Sequence, residues 1–311
     1  MSEKANLFSR RQFVAGGLKA AIGAGALSAL MPPAVPAAQQ AHIRFGLTTY
    51  ELAHDWDLPT IIKNLTTTNI HSVELKTLII YANGTTARYP HGVELELSPQ
   101  GRAEVKKRFA DSPVELISLA TSEHFPWPDP QKQNAAIEAV KGYLKLSHDV
   151  GSKYVRVLPN EWLPNVPHEQ TLDQIAECLN QCGSTADDLG QKIALEAHSG
   201  PGTLENMGYV MKRVKYRCIG IRLNSEQRNV ENPGFEEQFK FVKDVLSPTM
   251  HIHDLKNTKY PYQLVINVLA QAGWNGWAFL EVGYNYPDRV ALLAESREIW
   301  EKMVANAGAA S

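Results

Sequence analysis

Short apolar runs alternate with amphipathic, helix-like segments along most of the chain. The apolar runs have the length and composition of buried β-strands. Several of the segments between them open with a capping residue and an early proline, as at Asp57-Leu58-Pro59, Ser98-Pro99 and Asp129-Pro130, which is how helices begin. The pattern therefore predicts eight strands, each followed by a helix, with the strands at 45–50, 73–75, 115–119, 154–158, 192–195, 219–223, 250–252 and 278–282.

This alternation predicts an α/β fold, a single (β/α)8 TIM barrel. Eight units of about 34 residues each match that architecture, and no Gly-, Ser- or Pro-rich linker divides the series. An open doubly wound sheet is the competing architecture, but it carries a Gly-rich phosphate loop after its first strand. Here Thr48-Thr49-Tyr50-Glu51 occupies that place, and the chain has neither a P-loop nor a GxSxG motif.

Four of the predicted strands run directly into a polar or charged residue. Glu196, Asn224, His251 and Glu281 lie at or beside the carboxyl ends of the last four strands. The carboxyl ends of parallel strands meet at one edge of the barrel, where TIM barrels carry their chemistry. We therefore expect these four side chains to converge on one site.

Composition narrows the classes of partner. The 311 residues are 44% hydrophobic and 21% charged, with a formal net charge of -2, which fits a soluble globular protein with a sizeable core. With no basic run longer than Lys106-Lys107-Arg108, no nucleic-acid partner is expected. Cys178, Cys182 and Cys218 lack the spacing of a zinc site and are interpreted as small core residues.

The first 38 residues are predicted to be an export signal, and residues 39–311 the barrel domain. Arg10-Arg11 precedes a weakly hydrophobic run rich in Gly and Ala, which ends in Pro32-Pro33 and small residues up to Ala38. This resembles a twin-arginine signal cleaved after Ala37 or Ala38. A transmembrane anchor is disfavoured by the low hydrophobicity and the glycines. A periplasmic protein with no stable membrane anchor after cleavage is expected, and the route suits a protein that binds a metal before export.

Four segments together resemble one family: KIALEAHSG (192–200), GIRLNSEQ (220–227), MHIHDLKN (250–257) and GWNGWAFLEVGY (273–284). They are similar to the later strands of the xylose isomerase-like barrels, the sugar phosphate isomerase/epimerase and endonuclease IV-like superfamily. The resemblance covers residues 43–305. It implies a TIM barrel and a small-molecule sugar substrate, and it leaves open whether the protein is a homo-oligomer.

The resemblance also implies a site for one divalent metal. Glu196, Glu281 and His251 match three family ligands, and Asn224 stands where the family has an aspartate. Such oxygen and imidazole donors suit Mn²⁺, Mg²⁺, Co²⁺ or Zn²⁺. A metal bridging a carbonyl and its neighbouring hydroxyl acidifies the C–H between them. Glu196 and Glu281 would then be the catalytic base and acid on the two faces of an enediolate.

The sequence departs from the family after the sixth predicted strand. The family pattern Asp-x-x-His is replaced by Asn224-Ser225-Glu226-Gln227, so the site loses one charge and one imidazole. Three outcomes stay open: weaker metal binding, replacement of the missing ligand by Glu226 or His198, or loss of the metal. Further candidates for substrate binding are His124, His198, His253, Lys256, Glu74 and Arg156. For Glu74 and Arg156 a buried ion pair is the alternative.

The expected function is an exported, metal-dependent isomerase, epimerase or lyase for an unphosphorylated sugar, glycoside or keto-sugar. The alternative is a carbohydrate-binding or accessory barrel that has lost its metal site and its catalysis. An endonuclease IV-like nuclease is disfavoured, because that chemistry needs a three-metal cluster and export removes the protein from DNA.

Overall fold

The computed structural model describes residues 42–80, 86–283 and 285–309. The predicted export signal lies outside these residues. Within them, no helix has the length and apolar character needed to span a membrane.

Eight parallel strands close into a barrel, as the alternation of strands and helices predicts. Each strand pairs in parallel with both of its neighbours, and the last barrel strand closes the ring on the first. A short antiparallel hairpin, β3 (Ile79–Ile80) with β4 (Thr86–Ala87), lies outside the ring. In order round the barrel the strands are β1 (Ile43–Thr48), β2 (Ser72–Lys76), β5 (Glu115–His124), β6 (Tyr154–Leu158), β7 (Lys192–Glu196), β8 (Ile219–Asn224), β9 (Leu246–Ile252) and β10 (Gly276–Leu280).

A helix follows each barrel strand along the chain. The caps behave as the sequence indicates: Asp57 and Ser98 each accept a hydrogen bond from a backbone N–H of the first turn, and Gly151 ends α3 in the left-handed conformation. The helices are α1 (Leu58–Thr67), α2 (Pro99–Ala110), α3 (Pro130–Val150), α4 (His168–Asp188), α5 (Leu204–Met211), α6 (Phe235–Phe239), α7 (Tyr262–Gln271) and α8 (Arg289–Ala309).

Several boundaries differ from the sequence prediction. Strand β5 continues to His124, five residues beyond its predicted end. Strand β9 begins at Leu246 instead of Met250. Strand β10 ends at Leu280, so Glu281 lies just beyond the strand.

The barrel interior has an apolar floor beneath its polar layer. Ile117, Tyr154 and Phe279 form a buried cluster separate from the main core of the protein. Side chains two residues apart along a strand point to the same face. Arg156 and Glu281, two residues beyond Tyr154 and Phe279, therefore lie above this floor. The polar layer is thus at the carboxyl ends of the strands.

Candidate active site

The four strand-end residues predicted to converge do meet. Asn224 Nδ2 donates a hydrogen bond of 2.8 Å to Glu196 Oε1. His251 Nδ1 lies 3.2 Å from Glu196 Oε2 and 2.9 Å from Glu281 Oε2. Parallel pairing brings them together, since Asn224 of β8 is in register with His251 of β9.

A further carboxylate, that of Glu74, orients His251 through its other ring nitrogen. Its Nε2 lies 2.6 Å from Glu74 Oε1 of β2. A carboxylate that accepts a hydrogen bond from one ring nitrogen fixes the ring and its tautomer. With the Nε2 proton donated to Glu74, Nδ1 is the nitrogen that faces Glu196 and Glu281.

Two guanidinium groups neutralise much of this negative charge. Arg222 of β8 makes a two-pronged ion pair with Glu74, with Nη2 2.9 Å from Oε1 and Nη1 in close contact with Oε2. Its Nε lies 3.5 Å from Glu196, and Arg156 Nη1 of β6 lies 3.4 Å from the same carboxylate. Glu74 and Arg156 therefore point into the barrel and form the buried ion pairs that were the alternative to substrate binding. These seven residues, called the barrel cluster below, are Glu74, Arg156, Glu196, Arg222, Asn224, His251 and Glu281.

The cluster is sealed from solvent on all but one side. Glu74, Glu196 and Arg222 are fully buried, and His251 is 1% exposed. Glu281 is the carboxylate nearest to solvent, with 17% of its side chain exposed. A substrate entering from the carboxyl edge would therefore reach Glu281 before Glu196.

The electrostatics hold the three carboxylates of the cluster in their charged form. Burial opposes ionisation of Glu74, but Arg222 and then His251 outweigh it and hold its pKa well below the ordinary value. Burial likewise opposes ionisation of Glu196 and Glu281, and the charge of His251 overcomes it. The pKa of Glu196 stays well below its usual range and that of Glu281 falls to about 2.

The pKa of His251 shifts in the opposite direction, upward. Burial and the neighbouring guanidinium oppose its protonation, but the three carboxylates raise its pKa to about 10. Three carboxylates, two guanidiniums and one imidazolium balance to zero charge. In this form the cluster is a closed ion network, and His251 has to lose a proton before Nδ1 can bind a metal.

The donor set fits a divalent cation in kind. Within the described residues, no three His, Cys, Asp or Glu side chains are already arranged to hold a metal, but Asn224 adds an amide oxygen to the set. Its Oδ1 and His251 Nδ1 are buried polar atoms without a hydrogen-bond partner. The contacts of Nδ1 with the carboxylates are thus close without being hydrogen bonds, so the ring nitrogen is aligned with neither oxygen. Two ligands at right angles around a metal lie about 3 Å apart, which is the spacing of Nδ1 from both carboxylates.

His198 and Glu226 pair with each other instead of joining the cluster. His198 Nε2 lies 3.6 Å from Glu226 Oε1, and His198 Nδ1 is 2.6 Å from Ser199 Oγ. Glu226 also binds Arg228 Nε at 2.6 Å and accepts a hydrogen bond from the Ser199 backbone N–H. Because Glu226 already binds these partners, in this arrangement it does not replace the metal ligand that is missing after the sixth barrel strand.

The remaining predicted substrate residues divide into two groups. His253 lies at the rim, with Nε2 3.7 Å from Glu281 Oε2 and Nδ1 2.7 Å from Ser225 Oγ. His124, at the end of β5, packs its ring 4.4 Å from that of Trp127, and burial lowers its pKa. Lys256 is placed elsewhere: its exposed amine forms an ion pair of 2.7 Å with Glu295 of α8.

Two inward-facing cations, Arg222 and Lys76, were not among the site residues predicted from the sequence. Each lies two residues from a predicted site residue, Arg222 before Asn224 and Lys76 after Glu74. The period-two alternation of strands places both on the barrel side. That signal was available in the sequence.

Comparison with known proteins identifies the family to which this fold belongs. The family model of the xylose isomerase-like TIM barrel matches residues 84–303. The chain belongs to this family. No curated protein matches the sequence at a significant level.

Solved structures share the fold of this family member at low sequence identity. D-psicose 3-epimerase from Clostridium cellulolyticum H10, solved with D-tagatose, is 14% identical with a TM-score of 0.64, over 86% of this chain and 96% of the other. The E. coli 3-keto-D-glucoside 4-epimerase YcjR is 12% identical with a TM-score of 0.65, over 84% and 98%. The IolI protein, solved with a zinc atom, is 15% identical with a TM-score of 0.65, over 86% and 98%. At these identities the likeness shows the fold alone.

Proposed function

We propose that this protein is an isomerase, epimerase or lyase that moves a proton at a carbon next to the carbonyl of an unphosphorylated sugar or keto-sugar. The observation that carries the proposal is the meeting of Glu196 and Glu281 around one imidazole at the carboxyl edge of the barrel. Two carboxylates on one pocket are what proton abstraction and return require. The epimerases among the structural neighbours support a sugar as the substrate.

The two carboxylates have different roles in this proposal. Glu281 is ionised at neutral pH and borders the opening, so it is the base that first meets the substrate C–H. Glu196, held by Asn224 and Arg156, is the second carboxylate of the proposal, and it has to take up a proton before it can give one to the substrate carbon, because its pKa lies well below the usual range. His253, beside Glu281, and His124 would orient substrate hydroxyls.

A divalent cation is part of the proposal. Glu196, Asn224, His251 and Glu281 would hold it, and its chemistry would be to polarise the substrate carbonyl and adjacent hydroxyl. Glu74 and Arg222 would orient His251 from behind. The export signal proposed at residues 1–38 would place the enzyme in the periplasm, where unphosphorylated sugars would be its substrates.

Solvent exchange tests the proposal directly. Wild-type protein with Mn²⁺ is incubated in D₂O with D-psicose, D-fructose, D-tagatose and a 3-keto-glucoside, and NMR follows deuterium at carbons next to the carbonyl. We expect exchange with at least one sugar, its loss in Glu281→Gln, and its retention in Glu298→Gln, a control on an exposed face of α8. If no sugar exchanges while one still binds, the protein is not this enzyme.

That negative outcome would support the second candidate, a non-catalytic carbohydrate-binding barrel. The observation that favours this candidate is the charge balance of the barrel cluster, in which Arg156 and Arg222 satisfy the carboxylates without any bound ion. A binding protein would show saturable sugar affinity and no deuterium in the bound sugar.

A further inference from the structure

Lys76 is a buried amine on the wall of the same pocket. It is the last residue of β2, two positions beyond Glu74, so both side chains lie on the interior face of the barrel. Only 4% of the residue is exposed. The proposed mechanism gives it no task.

The partners of Lys76 are uncharged. Its Nζ donates to Ser122 Oγ at 2.8 Å and to the Thr77 carbonyl at 3.0 Å. Among the described residues, no carboxylate lies within 4.0 Å of this nitrogen. Burying an ammonium group without a paired carboxylate is unfavourable, so burial favours the neutral amine.

The surroundings favour that neutral form further. Burial, and after it the positive charge of Arg156, lowers the pKa of Lys76 to about 7. Desolvation and a neighbouring cation are the two ways in which proteins make a lysine nucleophilic. About half of the amine is therefore unprotonated at neutral pH.

The amine lies beside partly exposed residues at the carboxyl end of β5. Ser122, which accepts one of its hydrogen bonds, and the following Glu123 and His124 are all partly exposed. The charges of Arg156, Glu94, Glu281 and Glu74 act on Lys76, and its position two residues beyond Glu74 places it on the same interior face of the barrel.

We propose that Lys76 attacks the carbonyl carbon of an open-chain sugar or keto-sugar bound in this pocket. The nitrogen lone pair forms the C–N bond, the carbonyl π electrons move onto the oxygen, and that oxygen takes the proton that the nitrogen releases. The resulting hydroxyl takes one further proton from solvent and leaves as water, which gives the protonated imine, and water later reverses both steps. The identity of the substrate as a sugar carbonyl rests on the proposed function.

This chemistry suits a site in which Asn224 replaces a charged ligand. A protonated imine withdraws electrons from the neighbouring C–H, as a cation bound to the carbonyl oxygen would. Glu281 could then remove that proton with a weaker metal, or with none.

Reductive trapping tests the inference. Full-length protein treated with EDTA is incubated with dihydroxyacetone or D-psicose and sodium cyanoborohydride. Reduction of the imine adds the mass of the probe less one oxygen atom, and peptide mapping locates it. We expect at least about tenfold more label on Lys76 than on the exposed Lys145, since much more of the Lys76 amine is unprotonated. Lys76→Arg should lose this label, and Lys145→Arg should keep it.

The outcomes separate this inference from the proposed function. A wild-type protein that folds, by circular dichroism, and leaves Lys76 unlabelled with both probes overturns the inference. If that protein still exchanges sugar protons in D₂O, the proposed function stands without it. Labelling of Lys76 together with no exchange for any sugar would instead overturn the function and keep the reactive amine. Lys76→Met provides a second unreactive variant if Lys76→Arg fails to fold.

Discussion

Asn224 has a role in the barrel cluster both without a bound metal and with one. Its amide nitrogen donates to Glu196, while its oxygen has no hydrogen-bond partner. Without a metal, the donated hydrogen bond helps to hold a buried carboxylate. With a metal, the oxygen would serve as a neutral ligand where the family has an anionic one.

Asn224→Asp should therefore have opposite effects on affinity and on stability. An added carboxylate in a partly buried site should tighten Mn²⁺ binding by about 1–3 kcal/mol, roughly ten- to a hundredfold. The metal-free variant should be less stable than wild type, because two carboxylates then face each other where a hydrogen bond was. Calorimetric titration and thermal unfolding measure the two quantities.

Asn134→Asp, on the exposed face of α3, is the matched control and should change neither quantity. Glu196→Gln should weaken Mn²⁺ binding, and sugar exchange should fall by more than metal occupancy, because a proposed base is lost as well. Should wild type bind no divalent cation and Asn224→Asp gain none, the proposed metal would be abandoned.

The ion pair of Glu74 with Arg222 is the other residue-scale determinant. Both side chains are fully buried, and removing one partner strands the other without a counter-charge. Arg222→Met should lower the free energy of unfolding by about 3–5 kcal/mol. Urea denaturation measures this, and the double variant Glu74→Leu/Arg222→Met should recover most of the loss. An equal or larger loss in the double variant would show that the pair is not an independent unit.

At the scale of elements, the strands divide their two faces between packing and chemistry. Strand β8 places Arg222 and Asn224 inside the barrel, while its alternate residues Ile221 and Leu223 belong to the core outside it. Strand β2 does the same with Glu74 and Lys76 inside, and Val73 and Leu75 outside. Short strands can therefore supply two functional groups each without giving up their packing face.

The approach of β1 to β10 depends on Gly46. A Cβ at this position would lie 2.7 Å from the Phe279 ring and 2.7 Å from Ser72 Oγ. Gly46→Ala should destabilise the protein by about 1–3 kcal/mol through overpacking. Gly142→Ala in α3 is the control, since its Cβ meets only the Leu95 side-chain tip at 3.2 Å and alanine favours helix. Equal urea midpoints for the two variants would contradict this account of the β1–β10 contact.

At the scale of the whole molecule, export is the property that we propose for residues 1–38. Replacing Arg10 and Arg11 together with lysine should leave unprocessed protein in the cytoplasm, because the twin-arginine route reads that pair. Cell fractionation followed by mass determination of the N-terminus measures the result. Arg108→Lys is the control and should be exported normally. Normal export and cleavage of the double variant would remove the twin-arginine assignment.

The sequence by itself determined the barrel and the residues at the carboxyl ends of its strands. Alternating apolar runs and capped helices are local signals, and parallel strands must present their carboxyl ends together. For these reasons the meeting of Glu196, Asn224, His251 and Glu281 could be predicted without coordinates. The alternation rule also places Arg222 and Lys76 inside the barrel, although the sequence prediction assigned neither of them a role.

The tertiary structure decided which charges meet. Glu74 is 148 residues from Arg222 and 177 from His251, so no local pattern could pair them across the closed barrel. The same closure buries Lys76 beside neutral oxygens. Lys256 forms its ion pair with Glu295, far from it in the sequence. A pKa depends on burial and on neighbouring charges, and both arise only when distant strands close the ring. That is why the convergence of the strand-end residues could be predicted from the sequence and the ion network that surrounds them could not.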